Sequence, residues 1–134
     1  MIDALLNLAA LLASADMSAA ALAERLGTQA VDLRGNILVQ QPSIAGVRNA
    51  SVVRSVHGDT PSLITLKLER PLALRDLEAV FGVPNVVAAE HRGQFSSAVF
   101  NVPQPDLPFS VAFIGVIENG ATTEITLRRD THLG

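Results

Sequence analysis

The segment "DLEAVFGVP", Asp76–Pro84, decides how the rest of the chain is read. Leu74, Leu77 and Phe81 recur at helical spacing, and Asp76 and Glu78 sit where the helix dipole favours acids. Gly82, with Pro84 behind it, ends the helix. The stretch "ALAERLG", Ala21–Gly27, uses the same device: Leu22 and Gly27 stand 55 positions before Leu77 and Gly82. Asp16 or Ser18 is the expected N-cap of this earlier helix, Leu22 and Leu26 are its apolar positions, and Gly27 is its expected left-handed stop.

Strand-like segments follow each helix. After the first come 36–41, 49–56 and 62–69. In "SLITLKLE", Ile64, Leu66 and Leu68 alternate with Thr65, Lys67 and Glu69, so one set faces a core and the other faces out. Gly58 and Pro61 punctuate the turn before it and predict a hairpin. After the second helix come 85–92, 94–102, 109–118 and 122–130, the last two joined by Asn119-Gly120, a strong hairpin signal. The strands "ITLKLERP" and "ITLRRD" share Ile-Thr-Leu at a spacing of 61. Growth from 55 to 61 implies six extra residues in the second half, and the proline-rich loop 103–108 is the expected place.

The expected fold is therefore α+β: short helices packed on an antiparallel sheet of six to seven strands, without a βαβ crossover. One compact domain spans 1–134, with an N-terminal helix at 1–14 and candidate repeat halves at 16–70 and 71–130. A tandem duplication explains the echo, and so does the frequency of glycine stops and Thr-Leu strands.

A short helix ending in Gly-x-Pro and followed by antiparallel strands, taken twice, resembles the β-lactamase inhibitory protein fold. A single copy is similar to the SmpA/OmlA-type outer-membrane assembly lipoproteins. Leu77, Gly82 and Pro84 carry the resemblance, with Leu22, Leu26 and Gly27 as the first copy. It implies an architecture and a binding module, and no functional residue. The inhibitor's paired cysteines and aromatic contact residues and the lipoprotein cysteine have no counterpart here.

Composition narrows the function classes. At 49% hydrophobic and 17% charged, the 134 residues can bury a sizeable core. A net charge of −3 gives no long-range attraction to phosphate backbones or anionic membranes. Without cysteine there is no disulfide, thiol nucleophile or zinc–thiolate site. Nine of the ten basic residues are Arg, which with abundant Ala suggests a bacterial, GC-rich coding sequence. The opening "MIDALLNLAALLASAD" imitates a secretory signal, but Asp3 sits in the would-be positive region, Asn7 interrupts the apolar run and the first basic residue is Arg25. The expectation is a structural helix in a cytoplasmic protein.

Candidate chemistry is sparse. His57 and Asp59 flank Gly58, Glu90 adjoins His91, and Asp130 and His132 share a strand face, but no metal-ligand cluster emerges and no metal or cofactor is expected. No nucleophile elbow marks a serine, and no glycine-rich loop cradles phosphate. A small enzyme of unrecognised type remains one alternative. A winged helix-turn-helix regulator is another, with a recognition helix near Gln29–Val39. Charge opposes it: through Gly46 only Arg25 and Arg34 stand against Asp3, Asp16, Glu24 and Asp32. Neither nucleic acid nor membrane is an expected partner.

The leading expectation is a non-catalytic protein-binding module of the inhibitor, immunity or assembly type. In "FSVAFIGVIE", Phe109, Val111, Phe113 and Ile117 fill one face, while Ala112, Ile114 and Val116 are apolar on the other. If helices cover one face of the sheet only, Ile114 and Val116 mark a protein contact, with Arg92, Arg128 and Arg129 as anchors in place of the missing Trp and Tyr. The first helix adds a second candidate surface. Ile2, Leu5, Leu6, Leu8, Leu11 and Leu12 cover roughly 220° of its wheel, wider than one core contact needs. Leu8 and Leu11 are the edge that either a weak homodimer or the chain's own strands would cover.

Overall fold

In a computed structural model that describes residues 1–14, 16–56, 58–87, 96–102 and 106–131, eight strands form one antiparallel sheet with three helices packed on it. The order is α1 (Ile2–Ala13), α2 (Ala19–Leu26), β1 (Gly27–Leu33), β2 (Asn36–Pro42), β3 (Val47–Arg54), β4 (Pro61–Ala73), α3 (Leu74–Phe81), β5 (Asn85–Val87), β6 (Ser97–Val102), β7 (Phe109–Glu118) and β8 (Ala121–Thr131). Six or seven strands were expected; the eighth is β1. Its residues 29–33 belong to the segment scanned as a recognition helix, and that segment is a hairpin of β1 and β2 turning at Arg34–Gly35. β1 was hard to see because it is an edge strand. Every residue after Gly27 is exposed, so no burial alternation is written into it.

The sheet order, β1-β2-β3-β4-β8-β7-β6-β5, is the same four-strand meander laid down twice, the last strand of each half meeting in the middle. Each meander follows a short helix, so helix and four strands are taken twice. The middle junction has a local two-fold relation: Ile64 faces Leu127, Thr65 faces Thr126 and Leu66 faces Ile125. Following the register outward, Leu38 and Val99 occupy corresponding places 61 apart, and Val31 and Asn85 correspond 54 apart. The growth in spacing therefore lies mainly between β5 and β6 (88–96), where the first half has a two-residue turn, and not in the proline-rich loop.

One face of the sheet is the core. Ile37, Val52, Ile64, Leu127, Phe113 and Phe100 stand side by side on successive strands, and all are buried. Leu5, Leu8, Ala9 and Leu12 of α1, Leu22 and Leu26 of α2, and Leu77 of α3 complete that cluster. Phe81 of α3 stacks on Phe113 with ring centroids 4.7 Å apart and tilts against Phe100 at 5.9 Å. Burying either phenylalanine contributes about 1.5–3 kcal/mol.

Helix termini are held by both near and distant groups. The Ser18 hydroxyl accepts from Ala21 N at 3.1 Å, so Ser18 is the N-cap of α2. The Asp59 carbonyl accepts from Ala19 N at 2.9 Å, tying the β3–β4 turn to the same end. Arg129 reaches from β8 to cap α1, donating from Nε to the Leu12 carbonyl at 2.7 Å and from a terminal nitrogen to the Ser14 carbonyl at 2.9 Å. Its guanidinium also lies 4.3 Å from the Phe109 ring centre.

The two glycine stops differ in cause. Gly82 has φ +87°, a left-handed value that favours glycine. Gly27, expected to do the same, is extended at φ 161°. A Cβ there would collide with the Gln41 carbonyl oxygen and lie 2.7 Å from Pro42 Cα, so β2 passes too close for any side chain. At the β7–β8 turn, Asn119 and Gly120 both have positive φ, 53° and 74°, as a two-residue hairpin of this hand requires.

Candidate functional site

All three helices pack on one face, and among the described residues no helix covers the other face of the sheet. A row crosses all eight strands there: Val31, Leu38, Ser51, Thr65, Thr126, Ile114, Val99 and Asn85. Apolar residues fill both flanks. Val31, Leu33 and Leu38 are 39%, 47% and 37% exposed on the β1 side, and Ile114 and Val116 are half-buried on the β7 side. The centre is polar, with the paired threonines and, one row along, Asn49, Lys67 and Glu124.

Three of the expected contact residues meet on this face. Ile114 stands between Val99 and Thr126; Val116 faces Ser97; Arg128 lies between Leu63 and Ala112. Arg128 is forked onto Asp130 at 2.9 and 3.2 Å, which holds its guanidinium in place and raises its pKa. Arg129 is not with them. It points to the helix face, where burial lowers its pKa. Arg92 lies outside the described residues.

Of the two covers expected for the α1 edge, the chain's own core is the one observed. Leu8 is buried against the sheet and Leu11 is half-buried on the same core, so the chain's own strands cover the edge offered for a homodimer. The exposed leucine of α1 is Leu6.

His57, Glu90, His91 and His132 also lie outside the described residues. The carboxylates beside two of them are engaged elsewhere. Asp130 holds Arg128, and Asp59 accepts from Arg54 Nε at 2.6 Å. Arg54 forks onto Asp32 at 2.6 and 2.8 Å, and this hydrogen bonding lowers the Asp32 pKa and raises that of Arg54. Among the described residues no group of three or more His, Cys, Asp or Glu is placed to hold a metal ion, and no helix is long and apolar enough to cross a membrane.

One feature of the open face was only half visible in the sequence. Over β2, β3 and β4 a hollow of about 310 Å³ is lined by Leu38, Gln40, Asn49, Ser51, Thr65 and Lys67. Alternation in "SLITLKLE" placed Lys67 outward, but the hollow depends on the short Ser51 of another strand, and no local pattern pairs the two.

No protein-family model, no curated protein and no solved structure matches the chain.

Proposed function

We propose that this chain is a non-catalytic protein-binding module and that it docks through the uncovered face of its sheet. The observation that carries the reading is the one-sided placement of the helices, which leaves two apolar flanks in solvent around a polar centre. Apolar side chains grouped in solvent on a sheet face are a usual mark of a protein contact. The inhibitor, immunity or assembly type belongs to the proposal through the resemblance to the β-lactamase inhibitory protein fold, and a bacterial, cytoplasmic setting belongs to it on sequence composition alone. The halves 16–70 and 71–130 are read as a tandem duplication, on their repeated element order and the two-fold register at Thr65–Thr126.

Affinity chromatography from cells that express the protein tests the reading. Wild type should retain a partner that Ile114→Arg loses while keeping the wild-type circular dichroism spectrum and melting temperature. Equal retention by the folded variant would contradict it.

A further inference from the structure

We propose that the hollow beside Lys67 receives an acidic side chain, Asp or Glu, of the protein that docks on the open face; the inference rests on the docking reading above. Lys67 is the only lysine in the chain. Two carboxylates are near it in register or sequence. Glu124 faces it across the β4–β8 junction, and Glu69 lies two residues along its own strand. Among the described residues Lys67 forms an ion pair with neither. Its counterpart in the second half behaves differently. Arg128 is 61 positions on and is clamped by Asp130, two residues along.

Lys67 instead lines the hollow together with Gln40, Asn49 and Ser51, and none of these three makes a side-chain hydrogen bond among the described residues. Every one of them can donate, and among the described residues no carboxylate lines the space. The volume is at the low end for ligand sites, enough for one side chain and a short stretch of its backbone. Leu38 forms one wall and Val31 continues the apolar flank, so the fitting segment carries an apolar residue beside its acid. A single cation among the described lining residues, on a chain of net charge −3, suits an isolated carboxylate better than a polyanion.

A phage-displayed library of random short peptides, selected against the intact chain, provides the probe. Enriched peptides should share an Asp or Glu next to an apolar residue. Lys67→Gln should weaken them roughly tenfold, as for loss of a charge-assisted hydrogen bond. Lys67→Arg should retain most of the affinity, and added salt should weaken wild-type binding. Unchanged melting temperatures exclude a folding effect. Peptides lost on Ile114→Arg but indifferent to Lys67→Gln, or lacking an acid, would overturn this inference and leave the docking reading intact. No enrichment, or binding indifferent to both substitutions, would overturn the docking reading itself.

Discussion

Thr65 and Thr126 stand directly opposite each other where β4 meets β8, their hydroxyl oxygens 3.4 Å apart. Each is the middle residue of an Ile-Thr-Leu triplet, and the triplets run in opposite directions past one another. Neighbouring pairs then exchange partners: Ile64 meets Leu127 and Leu66 meets Ile125, all four on the core face. This junction joins the two four-strand meanders into one sheet.

Replacing both threonines by cysteine tests that register. Directly opposed residues of antiparallel strands have Cα separations within disulfide range. Thr65→Cys with Thr126→Cys should form a disulfide under mild oxidation in a chain with no other cysteine. It should stabilise the fold by about 2–4 kcal/mol, read by denaturant unfolding with and without reductant. A slip of one residue would put Thr126 on the other face and leave the thiols free.

Arg129 makes a separable contribution. Arg129→Met keeps much of its length but removes the donors to Leu12 and Ser14 and the cation over Phe109. The expected loss is about 2 kcal/mol. Hydrogen exchange should show faster opening at the C-terminal turn of α1, and Arg129→Lys should recover only part, since an ammonium lacks the planar fork.

The two glycine stops should respond differently. Gly82→Ala meets no described atom within 4 Å, but φ 87° with ψ −162° is a conformation essentially confined to glycine, so it should cost about 1–3 kcal/mol, and Gly82→Asn should fare no better. Gly27→Ala drives a Cβ into the β2 backbone and should cost clearly more. Equal losses in denaturant unfolding would contradict this distinction.

Asp32 sets an acid dependence. Hydrogen bonding to Arg54 lowers its folded pKa below the ordinary 3.8. The stabilisation it supplies is thus fully present above that value and fades as pH falls through the lowered folded pKa. Denaturation of wild type and Asp32→Asn across acid pH should show a gap that closes below about pH 3.8. Because the pair is exposed, salt should narrow it too. A gap that widens with acid would refute the assignment.

How much of this was legible follows from where the information lies along the chain. The β7–β8 hairpin was readable because Asn119-Gly120 states its own turn, and the two faces of β7 because alternation is a property of one strand. The α3 stop was readable from Gly82. Gly27 was misread because its need for glycine comes from Gln41, fourteen residues away. β1 left no trace because exposed edge residues carry no burial period. Ile114 and Val116 could be placed on one face from the alternation of β7, whereas Arg128 joins them only through the register shift between Gly115 and Ile117. Leu8 looked available only because a helical wheel cannot show the sheet beneath it. Arg129 gave no hint of capping a helix more than a hundred residues earlier.

The central claim is that the uncovered face meets a protein partner. Site-specific photo-crosslinking in the expressing cells tests it most directly, with the photoreactive residue at position 114 on that face or at position 7 on the exposed side of α1. A discrete protein adduct is expected from position 114 and none from position 7. No adduct at 114, or the same adduct from both positions, would contradict it.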